Sequence, residues 1–280
     1  MFVTSKIETL RKELNQQRTS GGRIGFVPTM GYLHEGHLAL VRRSKAENGT
    51  TVVSIFVNPV QFNNAEDLEK YPRDLERDLA LLEGEHTDMV FVPETGEIYP
   101  DDHHQVYDLG LLDTVMEGLH RPGHFQGVAR VVHRLFDIVK PDRAYFGMKD
   151  FQQLQVIHRL VALEKLPVSI VSCETVREPD GLAMSSRNVR LGVEERRNAP
   201  LIYQALQHAI QLRSVHQPEE VAARVADRLK AIPGFTLEYF EIADAMNMQP
   251  LKNWHDSTAG AVGCVAGYLG GVRLIDNVLL

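Results

Sequence analysis

Along this chain the spacing of hydrophobic positions switches repeatedly between helical and strand periods, and each switch marks an element. Residues 5–18 place apolar side chains at helical spacing among charges and run out before Gly21-Gly22, which predicts a helix. Ile24 to Val27 is a short apolar run and predicts a buried strand. Helical spacing returns from His37 to Glu47 and closes on Asn48-Gly49, a dipeptide suited to a left-handed cap. Thr51 to Val57 is a β-branched run that predicts a second strand, stopped at Asn58-Pro59. Pro72 suits the first turn of the next helix, with Leu75, Leu79 and Leu82 on one face and Gly84 after it. Met89 to Val92 predicts a third strand.

Between residues 93 and 125 the periodicity fades. The segment carries His103, His104, His120 and His124, with a turn at Arg121-Pro122-Gly123-His124. Irregular segments of this length in compact enzymes are often lids or substrate walls, and the pattern fits a plain surface excursion as well. A helical stripe then runs through Val128, Val131, Val132, Leu135 and Val139, ended by Pro141. Arg143 to Phe146 predicts a strand, Gly147-Met148-Lys149-Asp150 a loop, Phe151 to Leu163 a helix and Val168 to Cys173 a fifth strand. Strands alternating with helices predict an α/β, Rossmann-like, doubly wound parallel sheet. Ligands of such sheets bind beyond the carboxyl ends of the strands, where this chain's polar clusters fall. Pro179-Asp180-Gly181 marks a turn, so the expected division is residues 1–178 and a smaller α+β domain at 179–280. The second part shows helices at Glu194 to Leu212 and Pro218 to Ala231, and strands at Thr236 to Ala243 and Ala259 to Leu269.

Composition narrows the class. Apolar residues make up 44% of 280, enough for a real core. The net charge of −7 argues against a protein built to hold a long nucleic acid, while leaving room for a local basic patch. Cys173 and Cys264 sit in apolar runs and read as buried thiols, neither a disulfide framework nor a metal knuckle. Residues 1–17 carry charges throughout and lack the apolar region of a secretory signal, and no apolar run reaches membrane-spanning length. The expectation is a cytoplasmic protein without membrane partners.

Candidate chemistry gathers first at Pro28-Thr29-Met30-Gly31-Tyr32-Leu33-His34-Glu35-Gly36-His37-Leu38. A loop between strand and helix offers backbone N–H groups and the positive end of the helix dipole to an anion such as phosphate. His34 and His37 add imidazole donors three residues apart. The spacing is not that of a helical zinc site, which needs histidines four apart, and neither the Walker loop nor G-x-G-x-x-G is present. Taken alone, the pattern also fits surface histidines in a turn. Met184-Ser185-Ser186-Arg187 supplies two hydroxyls and a permanent cation, suited to gripping a triphosphate. Alone, it equally fits a helix cap with a solvated arginine.

The pair H-x-G-H and M-S-S-R resembles the nucleotidyltransferase superfamily that includes class I aminoacyl-tRNA synthetases. Longer strings are more specific: Val27 to Gly31, Phe56 to Phe62, Arg121 to Phe125, Lys149 to Gln153 and Met184 to Asn188 together resemble the pantothenate synthetase family, in its order and across essentially the whole chain. The resemblance implies that pantoate reacts with ATP to give pantoyl adenylate and pyrophosphate, and that β-alanine then displaces AMP. It implies ATP binding by Met30, Gly31, Tyr32, Leu33, His34, Glu35, Gly36, His37, Gly147, Met148, Lys149, Asp150, Val176, Met184, Ser185, Ser186 and Arg187. His37, Lys149, Ser185, Ser186 and Arg187 are the implied catalytic set, with His37 acting on the departing pyrophosphate. Gln61, Gln153 and Asn58 are implied for pantoate, Gln61 also for β-alanine, and Arg121 and His124 for the wall around the substrates. Mg²⁺ is the expected companion of ATP, with no dedicated protein metal site, and a homodimer is expected from the family. Two positions depart from its pattern: Met148 where glutamate is usual, and Arg130 where a small polar residue is commoner. Two other functions fit the signatures, a nucleotidyltransferase that keeps AMP on its product and a non-catalytic ATP sensor. A tRNA ligase is disfavoured by the acidic charge and short length.

Overall fold

A computed structural model describes residues 1–19, 21–100 and 105–280; His103 and His104 lie outside them. The chain divides into two units. The first holds Met1–Leu109, Arg121–Met148 and Val156–Glu174, and the second Gly110–His120, Lys149–Gln155 and Thr175–Leu280. Compared with the expected division at 178/179, the last stretch of the second unit begins at Thr175, and that unit also takes two earlier segments. Their anchors explain this. Gln152 Nε2 donates to the carbonyls of Leu112 (2.8 Å) and Val115 (2.9 Å), and its Oε1 accepts from the Glu117 N–H. Glu117 in turn receives both Arg273, from the last strand, and the Tyr239 hydroxyl.

The first unit is built on a six-stranded parallel sheet: β1 (Phe2–Thr4), β2 (Ile24–Thr29), β3 (Thr50–Ile55), β4 (Met89–Phe91), β5 (Arg143–Gly147) and β6 (Ser169–Cys173), in the order β1-β4-β3-β2-β5-β6. The expected α/β parallel sheet is present, with β1 added to the five strands read from sequence. β2 extends two residues further than its apolar run, through Pro28. That is tolerated because β5 pairs only with Gly25 and Phe26, so the missing Pro28 N–H lies past the last pairing on that side. Helix His124–Val139 buries the whole expected valine-leucine stripe. Phe136 meets Phe26 and Phe146 edge-on within that core.

Three local expectations are corrected. Asn48 is extended, with φ −135°, not left-handed, because the chain enters β3 two residues later. Its side chain caps the helix instead, donating to Ser44 O (2.8 Å) and to the Tyr145 hydroxyl (2.7 Å). Pro72 precedes rather than opens helix Leu75–Gly84, since Asp74 provides the cap; Leu82 is buried while Leu75 is exposed. The long helix read at 194–212 is two, Val193–Asn198 and Pro200–Leu212, because Pro200 cannot donate to the preceding turn.

The second unit carries a three-stranded antiparallel sheet of β7 (Phe235–Asp244), β8 (Ala261–Leu269) and β9 (Val272–Leu279). Helices Pro200–Leu212 and Pro218–Lys230 cover it through Ile202, Leu206, Val221, Val225 and Leu229. β9 was not read from sequence: its alternation is broken by the buried Asp276 and Asn277. Both cysteines are free and buried, as expected. Among the described residues, no helix is long and apolar enough to cross a membrane.

Candidate active site

Strand order in the first unit reverses between β2 and β5, which run to neighbours on opposite sides. The carboxyl ends at such a reversal leave a crevice, and here they carry Met30 and the Gly147-Met148 pair. After β2 the chain turns through Gly31 (φ +79°) and Tyr32 (φ +50°). The left-handed backbone at Gly31 favours glycine, and a Cβ there would also press on the Ile55 side chain (3.0 Å) and the Asp78 carboxylate (3.1 Å). The carboxylate of Asp78 accepts the N–H groups of Tyr32 (2.6 Å) and Leu33 (2.7 Å). Beside it, a cavity of about 400 Å³ opens beyond β2, β3 and β4, lined by Met30, Gly31, Tyr32, Ile55, Phe56 and Arg73.

His34 caps helix Glu35–Glu47. Its Nδ1 accepts from the Gly36 N–H (3.2 Å), and His37 Nδ1 accepts from the His34 N–H (3.3 Å). The two rings lie 4.0 Å apart, centroid to centroid. A neutral imidazole that accepts at Nδ1 carries its proton on Nε2. Both histidines are therefore set as Nε2–H donors. This changes the basis of the expected anion site: the N–H groups of Tyr32, Leu33, His34 and Gly36 are already committed, to Asp78 and to the imidazoles. The donors this loop carries are thus on its imidazole side chains rather than on these main-chain groups.

Further along the same edge, Asn58 is fully committed. Its Nδ2 donates to Gln61 Oε1 (3.2 Å) and Gly127 O (3.2 Å), and its Oδ1 accepts from the Val60 N–H (3.3 Å) and the Tyr99 hydroxyl (3.0 Å). Gln61 Nε2 points at Met30 Sδ, 3.1 Å away. Gly127 permits this packing, since a Cβ there would stand 2.6 Å from the Val60 carbonyl. His124 Nδ1 lies 2.9 Å from the Gln61 carbonyl and its Nε2 lies 3.0 Å from Arg121 Nη1. Donation at Nδ1 leaves Nε2 to accept from arginine, the opposite tautomer to that of His34 and His37.

In the second unit Lys149 and Asp150 form a short turn before helix Phe151–Glu164, with Lys149 Nζ 3.7 Å from Asp150 Oδ2. The Lys149 carbonyl accepts from Asn277 Nδ2 at 2.8 Å. Gln152 is buried and committed as described above; its neighbour Gln153, also in the first turn of that helix, is half-buried. The segment 176–188 is held as a hairpin: Met184 N donates to Val176 O, and Arg177 forms a bidentate pair with Asp276 (2.7 and 2.9 Å) while stacking on Tyr203. Burial raises the Asp276 pKa above the carboxylate norm, against the pull of Arg177. Ser185 caps the turn Ser186–Arg190 through the Arg187 N–H, and Ser186 is buried. Met184, Ser185 and Arg187 are partly exposed.

Sequence reasoning missed Asp78, Tyr99, Arg177, Asp276 and Asn277. Each acts on a residue 41 or more positions away, as in Tyr99–Asn58 and Tyr32–Asp78, so no local spacing marks it. Among the described residues no group of three or more His, Cys, Asp or Glu side chains is arranged to hold a metal ion.

A parallel sheet with donor side chains gathered at its reversal defines an α/β protein of the nucleotide-binding type. The pantoate-β-alanine ligase model matches residues 2–279. A pantothenate synthetase of Porphyromonas gingivalis is 51% identical over 278 residues, covering 99% of both chains. The crystal structure of pantothenate synthetase from Thermus thermophilus superposes with a TM-score of 0.92 at 46% identity, over 99% of both chains. That of a pantoate-β-alanine ligase from Francisella tularensis, complexed with β,γ-ATP and β-alanine, gives 0.83 at 36% identity, over 100% of this chain and 97% of that one. The chain belongs to the pantoate-β-alanine ligase family.

Proposed function

We propose that the protein condenses pantoate with β-alanine at the expense of ATP, through a pantoyl adenylate, and releases pyrophosphate and then AMP. The observation that carries this reading is the family match across residues 2–279. In the first step a pantoate carboxylate oxygen attacks the α-phosphorus and the bond to the β-phosphate bridging oxygen breaks, releasing pyrophosphate. In the second, the neutral amine of β-alanine attacks the acyl carbon, the acyl–phosphate C–O bond breaks, and AMP leaves as the nitrogen loses a proton.

His34 and His37, as Nε2–H donors, are suited to phosphate oxygens, and His37 is assigned to the departing pyrophosphate. Met30 to Gly36, Gly147, Met148, Asp150, Val176 and Met184 are assigned to ATP, and Lys149, Ser185, Ser186 and Arg187 to the charge that develops during transfer. Gln61 and Gln153 are assigned to pantoate. Amides suit that task because they bind carboxylate and hydroxyl without neutralising the nucleophile. Asn58 is assigned to the same subsite through Gln61, given that its own bonds are committed. Mg²⁺ is assigned to the incoming triphosphate, whose oxygens are the hard ligands it prefers. A homodimer in the cytoplasm is assigned on the family resemblance alone.

The test is isotope exchange. Labelled pyrophosphate should enter ATP when enzyme, Mg²⁺, ATP and pantoate are present, and not without pantoate. His37→Ala should cut that exchange by roughly 10²–10³-fold, the loss usual for one transition-state donor. Release of ADP and phosphate in place of AMP and pyrophosphate would sink the mechanism.

A further inference from the structure

We propose that Tyr99 is a positioning residue for pantoate, fixing through Asn58 the direction in which the Gln61 amide faces its ligand. The inference rests on the assignment of Gln61 to pantoate and adds to it a polarity and an origin for that polarity.

An amide side chain has an oxygen end that accepts and a nitrogen end that donates, and its neighbours decide which end faces where. Asn58 is decided by main-chain groups of fixed character. The Val60 N–H can only donate, so Oδ1 faces it; the Gly127 carbonyl can only accept, so Nδ2 faces that. The Tyr99 hydroxyl meets Oδ1 and must therefore be the donor. Burial pushes its pKa up to about 12, with Arg130 pulling the other way, so the proton stays on oxygen throughout the neutral range. The remaining Nδ2 proton of Asn58 goes to Gln61, whose facing atom must be Oε1. Gln61 is left with its NH₂ aimed away from Asn58, at Met30 Sδ, a weak acceptor that an anionic oxygen displaces readily.

The relay has one direction throughout: Tyr99 donates to Asn58, Asn58 donates to Gln61, and Gln61 donates to a substrate oxygen. Without the hydroxyl, Asn58 Oδ1 keeps only the longer bond from Val60 (3.3 Å), and the hold on Gln61 slackens. Tyr99 closes a short helix, Thr95–Ile98, outside every sequence signature of the family that this chain displays. Arg134 Nε donates to the Ile98 carbonyl (3.1 Å) and ties that helix to the long helix carrying Gly127.

Steady-state kinetics of three variants test this. Tyr99→Phe should raise KM for pantoate about 3–10-fold, the worth of one net hydrogen bond, with kcat and KM for ATP within about twofold of the parent. In a Gln61→Ala background the same substitution should change pantoate KM by less than about 1.5-fold, because coupled residues lose their effect together. Gln61→Glu keeps an acceptor for Asn58 and replaces the donor with an anion, so pantoate KM should rise at least about 30-fold, consistent with loss of a charge-assisted bond. Equal changes in both Michaelis constants for Tyr99→Phe, or a pantoate effect that persists without Gln61, overturns the relay. Tolerance of Gln61→Glu overturns the polarity. An unchanged pantoate KM in Gln61→Ala alone overturns instead the assignment of Gln61 on which the relay stands.

Discussion

Asp78 in the first unit and Asp244 in the second are built alike and end up opposite in charge preference. Each is a buried carboxylate that gathers main-chain N–H groups and so holds a turn. Asp78 receives two, from Tyr32 and Leu33. Asp244 receives three, from Met246, Asn247 and Thr258, and hydroxyl protons from Ser257 and Thr258 as well. Burial raises both pKa values before the hydrogen bonds act. At Asp78 burial wins and the pKa stays above its ordinary 3.8. At Asp244 the hydrogen bonds win and bring it down to about 2. At Asp78, the more deeply desolvated of the two, two main-chain donors do not offset burial; at Asp244 the larger set of donors does. Asp78 is thus a charge the fold tolerates for what it places, the loop that carries His34 and His37. Asp244 is a charge the fold favours for its own stability.

The largest contrast should appear in turnover. Asp78→Asn puts an NH₂ against one of the two main-chain donors and lets the histidine loop shift. We expect adenylation to fall about 10²-fold, the usual consequence of an ångström-scale misplacement, measured by pantoate-dependent pyrophosphate exchange. Asp244→Asn should leave exchange at 25 °C within about twofold while lowering unfolding free energy by roughly 2–3 kcal/mol, read by urea titration. Exchange lost equally in both variants would erase the distinction.

Acid should separate the pair more gently. The Asp244 pKa is depressed by folding, so its contribution is present above 3.8 and is lost as pH falls through about 2. Over that window we expect about 2 kcal/mol of stability to disappear, and Asp244→Asn to remove that part of the loss. The Asp78 pKa is raised, so its contribution is present below 3.8 and declines as pH rises through the folded value. On acidification the amide proton shifts of Tyr32 and Leu33 should titrate above 3.8, before the loss of stability carried by Asp244. If they move together with unfolding, Asp78 is not the perturbed group.

How far the sequence disclosed this molecule depends on the reach of each interaction. The histidine loop was legible because its geometry is closed within a few residues: His34 caps at Gly36, and His37 caps back at His34. The parallel sheet was legible because buried strands in β-α-β order leave continuous apolar runs. Gln153 was separable from Gln152 only through the family resemblance, since adjacent glutamines carry no label for which one the fold consumes. Asp78 sat unseen in a stripe of leucines, since its partners lie 45 and 46 positions away. β1 escaped because three half-exposed residues at a sheet edge have no period. β9 escaped because Asp276 and Asn277 interrupt an otherwise apolar face with polar groups that serve Arg177 and Lys149.

That last strand also sets a clock. The carbonyl of Lys149 is held by Asn277, 128 residues further along the chain. At a synthesis rate of about 5–20 residues per second, roughly 6–26 s separate the making of the two residues. The first-unit sheet, complete by Cys173, can form well within that interval. During translation, then, the donors at the carboxyl edge of that sheet can take shape while Lys149 still lacks its anchor. The order of synthesis leaves the lysine turn among the last parts of the nascent protein to be fixed.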